Sequence, residues 1–153
     1  RRLAEERISL RSLREILGAL AEWAPHERDP VALTEHVRSA LRRQITHRFA
    51  GSGGVLAVFL LDPIIEDTVR EAIHRTAGGS YLALEPALSR DIVLAVGKSI
   101  PANMPNPVVL TNADIRRYVS RLVEAEHPRL SVLSYQELAP DTQLQPLGRI
   151  AIG

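Results

Sequence analysis

Three residues in the last third of the chain have the types a serine hydrolase needs. Ser134 stands at the end of the apolar run "LSVLS", His127 lies seven residues upstream in "EHPRL", and Asp114 opens the segment "DIRRYV". A hydroxyl nucleophile, an imidazole base and a carboxylate behind it would make an acyl-transfer site. The local sequence argues against it. A nucleophile elbow needs small residues around the serine to let the backbone turn sharply; here Leu133 and Tyr135 flank it. Ser134 and Glu137 also make an S-x-x-E pattern, in which the serine caps a short helical turn and the glutamate reaches back to the serine amide. Capping is the expectation for Ser134, and the hydrolase is the competing one.

Other chemistry is sparser. There are no cysteines, so a disulfide framework, a thiolate metal site and a cysteine nucleophile are excluded. The histidines at 26, 36, 47, 74 and 127 show no metal-binding spacing, and neither a metal nor a cofactor is expected. Asp62 and Glu85 each precede a proline that starts a helix, which makes them helix-start acids before catalytic ones. "GSGG" at 51–54 would cradle a phosphate only if a helix N-terminus followed; the strand-like "VLAVFLL" follows instead, so it reads as a linker turn.

Arginine supplies the remaining candidates. Glu35, Arg38 and Arg42 are three and four apart and share one helical face, and Arg116, Arg117 and Arg121 form a second group. The plain reading of each is a solvated face; the functional one is a subunit or partner contact, since arginine is enriched at interfaces.

The elements that must position these residues follow from hydrophobic period. Leu10, Leu13, Ile16, Leu17 and Leu20 repeat at helical spacing, with Ser12 or Ser9 as cap, up to Pro25. Asp29-Pro30 opens a second helix running to about Arg48. From Val55 the rhythm becomes strand and helix in alternation: "VLAVFLL", a helix from Pro63 to about Thr76, "SYLAL", a helix from Pro86 to about Ile100, "VVLT", a helix from Ile115, then "LSVLS". The terminal "LQPLGRIAI" suits an edge strand because of Pro146. The expected fold is α/β: the end of a helical subdomain over residues 1–50, then an α/β sandwich with a parallel or mixed sheet over 51–153. Two helices alone cannot close a core, so the first part is expected to complete a subdomain that begins upstream.

The charge balance is +1 over 153 residues. Residues 1–48 hold ten arginines against seven acids, and 49–153 hold nine basic against eleven acidic groups. Neither part is basic enough to make nucleic acid the leading partner. No apolar run approaches the roughly 20 residues of a membrane span. The chain starts at Arg1 and is expected to be a fragment.

Read as whole segments, "LREILGALAEWAPHERDPVALTEHVRSALRRQI", "GGSYLALEP", "DIRRYVSRLVEAEHPRLSVLSYQEL" and "QPLGRI" resemble, in that order, the C-terminal cytoplasmic region of the type III secretion export gate. That family comprises the large inner-membrane component of injectisomes (the LcrD/SctV type) and its flagellar counterpart; "AEWAPHERDP" and "VRSALRRQI" are more like the injectisome branch. The resemblance implies that residues 1–50 end the third cytoplasmic subdomain and 51–153 form the fourth. It implies a homo-nonameric ring on the cytoplasmic side of the bacterial inner membrane, attached through an N-terminal part outside this chain. The implied partners are chaperone–substrate complexes, the gatekeeper protein and the export ATPase stalk, with no catalysis and no cofactor. On that footing Glu35, Arg38 and Arg42 are expected at ring contacts, and Arg116, Arg117 and Tyr135 at partner contacts.

Overall fold

The computed structural model describes residues 1–5, 12–50 and 53–153. At its centre is a sheet of four parallel strands in the order β5-β4-β1-β6, formed by β1 (Val55–Leu61), β4 (Val108–Thr111), β5 (Ser131–Ser134) and β6 (Gln143–Ile150). Side chains alternate across the pleat. Leu56, Val58, Val108, Leu110 and Leu133 enter one apolar cluster, while Phe59, Leu61, Val109, Val132 and Ile150 enter another. Both faces are covered, which is why "VLAVFLL" is apolar at every position.

The first cluster is closed by the N-terminal helices. After the short α1 (Arg2–Glu5), α2 (Leu13–Trp23), α3 (Pro30–Ala40) and α4 (Arg42–Phe49) supply Ile16, Ala19, Val37, Leu41 and Ile45. Burying a side chain of this size contributes about 1.5–3 kcal/mol, so the helical part is joined firmly to the sheet. The two helices thus find a partner within this chain. The second face is covered by α5 (Pro63–Glu71), α6 (Pro86–Ser99) and α7 (Ala113–Val123), through Ile65, Val69, Ile92, Val96, Ile115, Val119 and Val123.

Several expectations change. The second helix is not continuous to Arg48: it breaks at Leu41, whose φ of −90° and ψ of 11° end α3 and begin α4. The helix from Pro63 stops at Glu71, not Thr76. Ile73–Thr76 is instead β2, paired antiparallel with β3 (Gly79–Leu82), so "SYLAL" lies in a separate hairpin outside the main sheet. The hairpin closes through Ala77 and Gly78, with Gly79 at φ 129°, where a side chain would be strained. In α2, Ile16 and Ala19 are buried while Leu13 and Leu17 are exposed. Ser12 makes no side-chain cap bond; Ser9 and Leu10 lie outside the described residues.

The local starts hold as read. Asp29 accepts from the Val31 amide and Asp62 from the Ile64 amide, each at 2.9 Å and each before a proline. Gly53 and Gly54 take φ of 89° and 73°, as a turn into β1 requires; Gly51 and Ser52 lie outside the described residues.

The sheet has two rims, β5 and β6. Gln143 donates its N–H to Gly54 beside β1, so by alternation Pro146 faces outward, where its missing N–H costs the ladder nothing. Pro146 pairs with Val58 and Gly148 with Phe59, which leaves Leu147 as a bulge.

Candidate interaction site

The free rim of β5 is where the two parts of the chain are fastened together by charge. Ser131 donates to Pro107 beside β4, so the backbone groups of Val132 and Ser134 point outward by alternation. Arg116 of α7 donates Nη1–H to the Val132 carbonyl at 3.2 Å. Glu137, in the short 3-10 turn Tyr135–Glu137, accepts from the Ser134 amide at 2.8 Å. Ser134 and Glu137 form the capping box expected from S-x-x-E.

Both charged residues are paired across the seam. Arg38 of α3 donates Nε–H to Glu137 Oε2 at 2.6 Å and Nη2–H to Oε1 at 3.0 Å, with both side chains shielded from solvent. Arg116 donates Nη2–H to Glu35 Oε1 at 2.6 Å and Nε–H to Oε2 at 2.8 Å. These are fork-to-carboxylate pairs, the geometry that favours arginine over lysine. Burial pushes the Glu35 carboxyl above its ordinary range, and the hydrogen bond and charge of Arg116 oppose this.

The six residues expected at contacts are therefore split. Arg38, Arg116 and Arg117 are buried and Glu35 is largely so, which removes the solvated-face reading for them. Arg42 and Tyr135 are exposed. Partial burial pushes the Tyr135 phenol up, Glu66 adds to the shift and Arg149 opposes it. Between α3, β2 and the start of α7 a cleft of about 270 Å³ opens beside this cluster.

The hydrolase residues are not brought together. Ser134 is 1% exposed within the capping box. His127 places Nε2 at 3.2 Å from the Val93 carbonyl on α6, and its ring sits against Gly97. Asp114 accepts from Arg70 Nε–H at 2.5 Å at the surface. Each has another partner, so the triad is set aside. Among the described residues no cluster of metal ligands occurs, and no helix is long and apolar enough to cross a membrane.

By sequence alone Glu137 reads only as a cap. Its pairing with Arg38, 99 residues away, has no local signal. Placing Glu35 and Arg38 on one helical face was the nearest clue.

Comparison with known proteins gives a consistent picture. A family model described as the FHIPEP family matches residues 1–143. The "Low calcium response locus protein D" of Yersinia pestis is 44% identical over 154 residues, covering 99% of this chain and 22% of that protein. The cryo-EM structure of nonameric EPEC SctV-C is 41% identical with a TM-score of 0.90, over 97% of this chain and 45% of that one. The Chlamydia pneumoniae CdsV chain in its complex with CdsO is 47% identical with a TM-score of 0.90, over 98% of this chain and 45% of that one. The chain spans about a fifth of the length of the curated relatives it matches.

Proposed function

Since the chain belongs to the FHIPEP family, whose members are structural export gate components of type III secretion and not enzymes, we propose that it serves as a ring-building and docking portion of such a gate. The observation that carries this reading is the likeness, over nearly the whole chain, to a relative solved as a nonamer. In the proposal the gate sits in the bacterial inner membrane with this region on the cytoplasmic side. Residues 1–50 belong to the third cytoplasmic subdomain and 51–153 to the fourth. The partners are chaperone–substrate complexes, the gatekeeper and the export ATPase stalk; the complex of the Chlamydia pneumoniae relative CdsV with CdsO supports a docking role for this region.

Burial divides the work among the residues. Arg42 is free to reach a neighbouring copy, with Glu35 and Arg38 acting as positioning residues that hold α3 in place. Tyr135 offers an exposed aromatic contact to partners, with the buried Arg116 and Arg117 acting as positioning residues of α7.

The test is light scattering of the whole cytoplasmic region, wild type against Arg42→Glu, together with secretion in cells. The expected result is a nonamer that the charge reversal weakens, with a matching fall in secretion and in co-purified chaperone–substrate pairs. A cytoplasmic region that stays monomeric at every concentration, with secretion unchanged by its deletion, would overturn the reading.

A further inference from the structure

The cleft between α3, the hairpin and α7 has a composition that says what would fit it. Val31 and Ala32 from α3, Ile73 from β2 and Tyr118 from α7 line it, all of them half-buried. At about 270 Å³ it lies below the roughly 300–1,000 Å³ of a cofactor or drug-sized site. It is the size for one inserted side chain, the arrangement in which a few central anchors carry an interface.

Charge at the mouth of the cleft gives the rest. The acids there are already engaged. Asp29 accepts from the Val31 amide with one oxygen and from the Ser80 hydroxyl at 2.8 Å with the other. Glu35 is held by Arg116, and Asp114 by Arg70. The Gln136 side-chain oxygen is engaged too, accepting from the Ala113 amide at 3.0 Å. Arg75 of β2, in contrast, is exposed and makes no ion pair among the described residues. An approaching cation would meet carboxylates committed elsewhere; an approaching carboxylate would meet an available guanidinium fork.

We propose that this cleft docks an extended segment of a partner protein, which inserts one large apolar side chain between Ala32, Ile73 and Tyr118 and sets a neighbouring carboxylate against Arg75. The proposal stands on the cleft alone and does not depend on a role in secretion, so the two fail separately.

The probe is a random linear peptide library displayed on phage and selected on this chain, followed by fluorescence polarisation with the enriched peptides. Selected peptides are expected to pair Leu, Ile, Phe or Trp with Asp or Glu one or two residues away. Arg75→Glu is expected to weaken them by about tenfold or more, as loss of an interfacial charge pair does, and its own selection to favour Lys or Arg. Arg75→Lys retains most of the affinity, and Ala32→Phe, which fills the cleft, abolishes binding. Arg75 is at the surface, so its variants leave folding intact. Enrichment without an acidic bias, or affinity indifferent to Arg75→Glu and Ala32→Phe, would overturn the proposal. So would a change in oligomeric state with these variants and no peptide selected, which would assign the cleft to a second copy, and so would blocking by the upstream region of the same protein.

Discussion

Replacing Arg38 by methionine tests whether the buried charges at the seam act as a pair. Arg38 and Glu137 are 2% and 0% exposed, and their fork-to-carboxylate bonds are 2.6 and 3.0 Å long. Methionine preserves much of the arginine stem but takes the charge partner away from the buried Glu137 side chain, and breaking a buried pair from one side costs about 3–5 kcal/mol. Against a total stability of about 5–15 kcal/mol for a domain, that is a large share. With a urea slope of about 2 kcal/mol/M, the unfolding midpoint should fall by about 1.5–2.5 M. The partner substitution Glu137→Gln keeps an oxygen that can still accept from the Ser134 amide, so a cap worth about 1 kcal/mol survives. The double variant Arg38→Met with Glu137→Gln buries no net charge and should lie within about 2 kcal/mol of wild type. Urea unfolding of the four proteins gives the coupling directly. If Arg38→Met costs less than about 1 kcal/mol, or if the double variant costs the sum of the two singles, the reasoning from a matched buried pair is wrong.

Two further outcomes follow from the same seam and from the opposite rim. Burial raises the Glu35 carboxyl above its ordinary 4.5 despite Arg116, so the folded state holds that proton more tightly than the unfolded chain does. The contribution of this group is then full below 4.5 and lost as the pH rises through the raised folded value. Wild type should therefore gain stability relative to Glu35→Gln as the pH falls from neutrality towards 4.5, and a difference in urea midpoints that moves the other way refutes this. Pro146→Ala should change stability by no more than about 1 kcal/mol, the scale of an unfolded-chain effect; a larger loss in thermal unfolding would mean that position 146 does not face outward.

Much of this arrangement is legible locally. The caps at Asp29 and Asp62, the apolar β1, the edge character of "LQPLGRI" and the S-x-x-E turn at Ser134 all depend on residues within a few positions of each other. The misread segment, Ile73–Thr76, is a case of competition. It continues a good helix in sequence, but Ile73 and Thr76 are β-branched and a short turn before Gly79 lets them pair with the next run. The charged seam was the least visible. Glu35, Arg38 and Arg116 look like surface residues by type, and only the approach of α3 and α7 around the β5 rim makes them interior. Long-range pairing of this kind leaves no periodic mark.

Both margins of the central sheet are sealed by different means: side-chain forks on one side, an imino acid and a dislocated residue on the other. A sheet so finished cannot recruit another strand by simple backbone continuation, because the row of donors that a newcomer would need is interrupted. Copies crowded shoulder to shoulder would keep their own architecture, and whatever binds them into a larger body must do so through elements other than these two margins. Crowding without fusion is the practical dividend of Pro146.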